Sequence, residues 1–180
     1  MSLSEILVRY EQYAQNNNDM TEHMSTLRAY AARCASVVEF GVRHCVSTWG
    51  LLAGQPVRMR SYDIERQPEV SEVEATVCGT GIDFQFILGS SLDVEIEETD
   101  LLFIDSLHTY DQLRQELVLH ARKVRKFIIL HDTTTFGDID QFGGSPGLWC
   151  AVEEFLTLRG DWKLKERFTN CNGLTVLERS

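Results

Sequence analysis

The sequence predicts an α/β domain with a doubly wound, mostly parallel sheet of about seven strands and an antiparallel hairpin strand at its C-terminal end. Two continuous apolar runs, residues 101–104 and 127–130, are typical of strands buried on both faces. Between them, apolar residues recur at helical spacing, which predicts a helix lying on the sheet. The stripe consists of Tyr110, Leu113, Leu117, Ala121 and Val124. Strand, helix and strand together predict a right-handed βαβ unit.

Polar residues after these two strands mark the predicted functional site. Asp105 and His108 follow the first strand, and His131 and Asp132 follow the second. Ligands of open α/β sheets bind outside the carboxyl ends of the strands. We therefore expect these side chains to lie at one edge of the sheet and to carry the chemistry.

Both ends of the central helix carry helix-end signals. Thr109 with Gln112 three residues later is a capping-box signature. A basic cluster lies at the other end, the negative end of the helix dipole. It consists of Arg122, Lys123, Arg125 and Lys126. This is the only dense basic cluster, and the formal net charge is −10, so we expect no nucleic acid among the partners.

The composition is typical of one globular domain. The chain has 180 residues, of which 43% are hydrophobic and 24% charged, enough for one sizeable core. Five cysteines without a CxxC pair predict neither a disulfide framework nor a zinc knuckle, and they fit a reducing cytosol. Residues 1–5 lack a signal-peptide pattern, and no apolar run approaches the roughly 20 residues of a membrane span. We expect a cytoplasmic protein without a membrane partner.

Two amphipathic helices precede the sheet. The first has an apolar stripe from Leu3 to Tyr13 and stops at the polar run 16–18, and the second spans about residues 22–34. The inward residues of the second helix are Met24, Leu27, Tyr30, Ala31 and Cys34. These apolar faces pack on the same chain or on a second copy, so a homo-oligomer stays open. His23 either looks into a site or is an ordinary exposed or capping histidine.

A strand, a glycine and a helix start open the sheet. Residues 36–40 form the first strand, Gly41 ends it, and a helix follows at about 47–53. Gly41 lets the backbone approach a ligand closely, and Glu39 can accept hydrogen bonds from an ammonium or a hydroxyl group. The next strand, residues 57–62, precedes Asp63, which lies 22 residues after Gly41. That spacing favours a ribose acceptor in a nucleoside site, and the alternative is that Asp63 caps the next helix.

The remaining elements complete a single domain. We expect a helical cap at residues 1–35 and a core at residues 36–180. After Asp63 the pattern predicts, in order, a helix at 68–78, a strand at 83–88 and a short acidic helix at 92–99. After the central unit it predicts a lid or binding loop at 133–147, a helix from 148 to 159 and strands at 162–168 and 174–177. Asn172 and Gly173 are a hairpin signal between the last two strands.

The order of these elements resembles the class I methyltransferases that use S-adenosylmethionine. The segments VVEFGVRHCVSTW, SYDIE, DLLFIDSLHTYDQL and FIILHDTTTFG are similar to the small methyltransferases grouped with macrolide-sugar O-methyltransferases and cephalosporin-hydroxylase-like proteins. The similarity covers about residues 22–179, and FIDSLHTY and ILHDT are its most specific pieces. It implies a Rossmann-like fold and S-adenosylmethionine as the cofactor.

The resemblance also implies which residues hold the cofactor. Glu39 and Gly41 would hold its methionine end, and Asp63 would hold the ribose. The loop with Ser90 and Ser91 would receive the adenine. The family's first loop usually carries a second glycine near position 45 or 46, and this sequence has none there. Such a glycine is not needed if the loop keeps φ negative.

The resemblance further implies a metal site and a base. Asp105 would face the sulfonium of the cofactor. In the related catechol O-methyltransferases, the strand-four aspartate and two residues ending strand five hold a magnesium ion, and a lysine three positions after that aspartate is the base. The corresponding residues here are Asp105, His131 and Asp132 for the ion and His108 for the base. A histidine accepts a proton at neutral pH without a strongly lowered pKa, and His131 is a second candidate. Alternatively, His131 only orients its neighbours, and residues 129–132 cap the strand and hold the following lid loop.

These residues are compatible with three functions. The first is an O-methyltransferase acting on a small hydroxylated substrate such as a sugar, by in-line displacement at the sulfonium methyl, with His108 removing the hydroxyl proton. The second is a nucleoside-binding or interaction protein with this fold and no turnover, which the unusual loop 43–46 motivates. In that case the polar residues are a satisfied cluster at the strand ends. An NAD-dependent oxidoreductase is disfavoured because GxGxxG is missing.

Overall fold

The structure is a computed structural model that describes residues 3–16 and 18–180. The helices are α1 Leu3–Ala14, α2 Met24–Ala31, α3 Val46–Leu52, α4 Glu69–Val77, α5 Tyr110–His120 and α6 Leu148–Leu158. The strands are β1 Ser36–Phe40, β2 Arg58–Asp63, β3 Asp83–Leu88, β4 Thr99–Ile104, β5 Val124–His131, β6 Trp162–Phe168 and β7 Leu174–Arg179. Short 3-10 turns, Thr21–His23 and Ala121–Lys123, precede α2 and follow α5.

All seven strands belong to one sheet, in the order β3-β2-β1-β4-β5-β7-β6. The first five strands in sequence are parallel, and β7 runs antiparallel to both β5 and β6. The central register aligns Val38 with Leu102 and Leu102 with Ile128. The strand order reverses between β1 and β4, which is where ligands bind in sheets of this kind. The predicted fold class is confirmed.

The sheet separates two hydrophobic cores. Val37 of β1 packs in the first core with Trp49 of α3, and Val38 packs in the second core with Leu113 of α5. Neighbouring residues of β1 point to opposite faces, and all five are buried because helices cover both sides of the strand. This burial explains why the continuous apolar runs were informative about the fold.

The two N-terminal helices pack on the first core of their own chain. Ile6 and Tyr10 of α1 are buried there, and all the predicted inward residues of the second helix are buried as well. The polar run after α1 includes Asn17, which lies outside the described residues. The predicted homo-oligomer stays a prediction. None of the helices among the described residues is long and apolar enough to cross a membrane.

One predicted element is wrong. Residues 92–99 form a turn and an extended segment rather than a short acidic helix. Ile96 is buried in the second core and Val94 packs against it, whereas Glu95 and Glu97 pair with Lys123 and Arg58. Apolar and acidic side chains thus alternate with a period of two, which is the pattern of an extended chain.

The boundary between α5 and β5 also differs from the prediction. Val124, assigned to the helical stripe, is the first residue of β5, because α5 ends at His120. The predicted cap of α5 is confirmed, since Thr109 Oγ1 accepts a hydrogen bond from the backbone N–H of Gln112 at 3.3 Å. The predicted hairpin between β6 and β7 is confirmed too, and Gly173 in its turn has a φ of 98°.

Candidate active site

The carboxyl ends of β1 and β4 meet at Gly41. Its φ is +83°, and a Cβ atom there would lie 1.9 Å from the backbone oxygen of Asp105. The Gly41 N–H donates to Tyr62 O at 3.0 Å, and the Asp105 N–H donates to Phe40 O at 2.8 Å. Any side chain at position 41 would therefore force apart the strand ends that form the site.

Asp63 holds the loop that follows Gly41. Its Oδ2 accepts the backbone N–H groups of Val42 at 2.7 Å and Arg43 at 3.0 Å, and its Oδ1 accepts that of Glu65 at 3.1 Å. Asp63 is half-buried, and a carboxylate oxygen with one such bond can accept another. The acceptor capacity that a ribose hydroxyl needs is thus present.

The first loop reaches its shape without a second glycine. Arg43 and Cys45 have φ values of 45° and 61°, both in the left-handed region. The condition under which a second glycine is not needed, a negative φ, is therefore not met at Cys45. Left-handed backbone costs a non-glycine residue about 1–2 kcal/mol, so the loop is strained at both positions.

Glu39 is fully buried beneath this loop. Its two oxygens accept hydrogen bonds from the hydroxyls of Ser47 at 2.7 Å, Thr48 at 2.9 Å and Ser61 at 2.6 Å. Burial raises the pKa of Glu39 to about 7, and the three hydroxyls only partly offset it. In this arrangement Glu39 links β1, β2 and the start of α3 from below.

The four polar residues after β4 and β5 lie together at one edge of the sheet. His108 Nε2 lies 3.2 Å from Asp105 Oδ1 and 2.9 Å from Asp132 Oδ2. His131 Nδ1 lies 3.3 Å from Asp105 Oδ1 and 3.5 Å from Asp132 Oδ2. We call Asp105, His108, His131 and Asp132 the acid–histidine cluster.

Charge pairing determines the protonation of this cluster. Burial disfavours a charged imidazole, but hydrogen bonds and charges from Asp105 and Asp132 outweigh burial and raise the pKa of His108 to about 9. The same two carboxylates raise the pKa of His131 to about 11, again against burial. Against the burial of both carboxyl groups, the two histidines lower the pKa of Asp105 and of Asp132. These shifts favour the charged forms of all four side chains near neutral pH.

Backbone carbonyls orient His131 from the other side. Its Nε2 lies 3.0 Å from Asp19 O and 3.3 Å from Cys171 O, so this nitrogen carries the hydrogen that it donates. Its Nδ1 consequently faces the carboxylates. Donation by the second ring nitrogen to a carbonyl is also how metal-binding histidines are commonly oriented.

His23 supports this arrangement and does not reach the cluster's carboxylates. It is buried, its ring centroid lies 5.7 Å from that of His131, and its Nε2 donates to the carbonyls of Asn170 and Cys171 at 3.1 Å each. Burial lowers the pKa of His23, with the charge of His131 adding to the effect. We call the segments 18–23 and 170–173 the roof of the site.

The cluster has the donor set of a cation site. Single donor atoms of Asp105, His131 and Asp132 all lie within 4.8 Å of one another. Asp132 Oδ1 is buried and has no hydrogen-bond partner among the described residues. Asp132 also has a φ of 61°, and an aspartate tolerates this conformation better than most residues. A divalent cation fits these residues, because an ion would give the orphaned oxygen a partner.

The loop 133–147 closes one side of the cluster. Phe136 stacks on His108, with ring centroids 4.9 Å apart and an interplanar angle of 7°. Gln141 joins the loop to the backbone of His108: its N–H donates to His108 O at 3.2 Å, and its Oε1 accepts the His108 N–H at 3.1 Å. Exposed apolar side chains lie on the same two loops, namely Leu107, Ile139 and Phe142.

The loop with Ser90 and Ser91 is held by residues that sequence reasoning missed. Ser90 Oγ accepts the N–H of Leu92 at 3.2 Å, and Ser91 is buried against α5. The residues of α5 that bind Ser91 are Gln112, Glu116 and His120. Their spacing of four residues is the signal in the sequence that could have indicated this second buried face of α5.

Solved methyltransferases have this fold. An O-methyltransferase from Bacillus cereus in complex with S-adenosylhomocysteine is 13% identical, with a TM-score of 0.68 over 99% of this chain and 90% of that chain. The O-methyltransferase of tomaymycin synthesis from Streptomyces achromogenes, in complex with S-adenosylmethionine, is 14% identical, with a TM-score of 0.69 over 89% of this chain and 80% of that chain. The 1,6-didemethyltoxoflavin N1-methyltransferase of Burkholderia thailandensis is 12% identical, with a TM-score of 0.67 over 99% and 87%.

No protein-family model and no curated protein matches the sequence. At identities this low, the likeness to solved structures establishes the fold. The sheet order, the glycine turn after β1 and the acidic residue at the end of β2 lie where the quoted motifs predict them. The chain has the Rossmann-like fold of the class I S-adenosylmethionine-dependent methyltransferases.

Proposed function

We propose that this protein is an S-adenosylmethionine-dependent O-methyltransferase acting on a small hydroxylated substrate such as a sugar. The observation that carries the proposal is the acid–histidine cluster, which lies beside the glycine turn at the point where the strand order reverses. When bound there, S-adenosylmethionine supplies an electrophilic methyl group on a sulfonium. The chain's own residues then need to orient an acceptor hydroxyl and take its proton.

The cofactor would lie along the carboxyl ends of β1, β2 and β3. Gly41 lets the ends of β1 and β4 come together beside its methionine end, Asp63 accepts from its ribose, and the loop with Ser90 and Ser91 receives its adenine. Asp105 faces the sulfonium. The carboxylate of Glu39 is fully buried, so Glu39 would contribute indirectly, through the hydroxyl groups that donate hydrogen bonds to it.

His108 is the proposed general base. Its Nε2 lies between Asp105 Oδ1 and Asp132 Oδ2, so a proton received at Nε2 is held by two carboxylates. Asp105 stabilises that charge. His131, the second candidate, can take the proton only when its Nδ1 carries neither a hydrogen nor an ion. Phe136 and Gln141 fix the ring and the backbone of His108, which keeps Nε2 in place.

A magnesium ion would be held by Asp105, His131 and Asp132. Oxygen ligands suit this ion, and the imidazole Nδ1 of His131 is a softer third donor. When bound, the ion would supply Lewis-acid assistance by lowering the pKa of the acceptor hydroxyl. His131 must lose its Nδ1 hydrogen to become a ligand, so cation binding should release a proton.

Calorimetry with S-adenosylmethionine tests the proposal. We expect binding that is lost in Asp63→Ala and kept in Asp83→Ala, a control that removes an exposed carboxylate from the neighbouring strand. Detection of S-adenosylhomocysteine across a panel of hydroxylated acceptors then tests turnover. Absence of heat and of a thermal shift at millimolar cofactor would refute the proposal.

The runner-up is a nucleoside-binding or interaction protein with no turnover. The strained backbone at Arg43 and Cys45 favours it, because an unusual first loop departs from the usual cofactor site. Cofactor that binds, yet never becomes S-adenosylhomocysteine with any acceptor, would support this reading over the first.

A further inference from the structure

Three polar residues on one face of α5 form hydrogen bonds with a single residue, Ser91. Gln112, Glu116 and His120 are spaced by four, so they lie on one line along the helix. Gln112 Nε2 donates to Ser91 Oγ at 3.0 Å, Ser91 Oγ donates to Glu116 Oε1 at 2.5 Å, and His120 Nε2 donates to Ser91 O at 2.7 Å. Both the side chain and the backbone of Ser91 are thereby held.

Glu116 also accepts a hydrogen bond from a second loop. Its Oε1 also accepts the hydroxyl of Ser106 at 2.6 Å and the amide of Gln112 at 2.9 Å. Ser106 follows Asp105 directly, on the loop that carries His108. One buried oxygen therefore joins the loop after β3 to the loop after β4.

A carboxylate is an unusual choice for this position. Glu116 has a relative exposure of 0%, and burial raises its pKa despite the three donors. An apolar residue of similar size would fill the same space without the cost of burying a charge. The donors come from both loops, so the carboxylate supplies a connection that an apolar side chain lacks.

We propose that Glu116 is a positioning residue which sets the adenine-binding loop at Ser91 against the loop of Asp105 and His108. This inference rests on the proposed function. Glu116 touches neither cofactor nor substrate and acts through the two serines. Through this connection, Glu116 fixes the position of the adenine relative to the loop of the proposed base. The reacting methyl group, at the other end of the cofactor, is thereby placed relative to His108.

Two substitutions of Glu116 separate a positioning role from a purely structural one. Glu116→Leu keeps the volume and removes the acceptor, whereas Glu116→Gln keeps one amide oxygen that can accept from both serines. Gln115→Leu is the matched control, because Gln115 is exposed on the same helix. Binding of S-adenosylhomocysteine and of 5′-methylthioadenosine, which has no methionine tail, is measured by calorimetry below the melting temperature of each variant.

We expect Glu116→Leu to weaken both ligands by about tenfold or more, since several hydrogen bonds that order the loop are lost. Glu116→Gln should weaken them by no more than about threefold, and Gln115→Leu should change neither. A folded Glu116→Leu variant with wild-type affinity for both ligands would overturn the inference. If the wild type binds neither ligand, the proposed function itself fails, which is a different result.

Ser106→Ala supplies a milder test if Glu116→Leu does not fold. It removes one hydroxyl from the loop of the base, and we expect it to weaken 5′-methylthioadenosine by about two- to tenfold. The effect should shrink in Glu116→Gln, where the shared acceptor is weaker, giving a measurable coupling between the positions. Wild-type affinity in Ser106→Ala would show that Glu116 does not join the loops functionally.

Discussion

The Nε2 atom of His108 lies 2.9 Å from Oδ2 of Asp132. The proposed base is therefore already paired with a carboxylate, and that carboxylate competes with the substrate for the proton on the ring. Proton removal from a substrate requires the neutral imidazole. Because of this pairing, we expect the proposed reaction to depend on pH and on any cation that binds Asp132.

The first prediction concerns that pH dependence. With no added metal, the logarithm of kcat/KM should keep rising with pH up to about 9, because the carboxylates raise the pKa of His108 to about 9. An unperturbed histidine would give a plateau above about pH 6.5. His108→Ala should lower kcat by about 100-fold or more while leaving cofactor affinity nearly unchanged. A variant with wild-type turnover would remove His108 from the mechanism.

The second prediction concerns the metal. Chelation with EDTA should lower activity by about tenfold or more, and added magnesium or manganese should restore it. Asp132→Asn should not be rescued, since the amide has no negative charge and one oxygen fewer to offer a cation. Full activity in chelator would instead show that Asp105 and Asp132 position the substrate without an ion.

The third prediction concerns Glu39 and stability. The folded-state pKa of Glu39 is about 7, against 4.5 for an ordinary glutamate, so its contribution to stability is greatest below pH 4.5 and is lost as the pH rises through 7. The unfolding free energy of the wild type, relative to Glu39→Gln, should fall by about 2–3 kcal/mol between pH 5 and pH 8. Urea denaturation at several pH values measures this difference. The exposed control Glu11→Gln should show no such trend.

The fourth prediction concerns the strained first loop. Arg43→Gly should raise the unfolding free energy by about 1 kcal/mol, because glycine adopts a positive φ without steric cost. The exposed pair between Arg43 and Asp19, 3.6 Å apart, contributes little against this gain. Thermal and urea denaturation provide the measurement. Gln55→Gly, at a φ of 59° in another turn, should give a similar gain, and a loss of stability in both variants would contradict the strain argument.

The sequence was informative where a pattern is local. Residues 36–40, 83–88 and 162–168 were predicted as strands and form β1, β3 and β6 at the same residues. Continuous apolar runs and the glycines that end them involve only residues close in sequence, so they can be recognised without knowledge of the fold. The helix predicted for residues 92–99 is wrong because the prediction relied on the acidic residues of this segment, which suggested a solvated helix. Packing of Val94 and Ile96 against the second core favours an extended chain instead.

The site was predictable only in part, for a related reason. The positions of Asp105 and Asp132 at the ends of adjacent parallel strands follow from topology, and the structure brings them together. The two serine partners of Glu116 are separated from it by 25 and 10 residues, and they approach only when the loops fold over α5. Burial of a carboxylate by such distant donors has no local signature.

The roof has a consequence for how the protein is made. His131 Nε2 is held by carbonyls of Asp19 and Cys171, which are 112 residues before it and 40 residues after it. During synthesis, the ring of His131 is thus fully oriented only after residue 171 has left the ribosome. A nascent chain that stops before residue 171 would already contain the five parallel strands, and we expect it to carry an unfinished reaction centre.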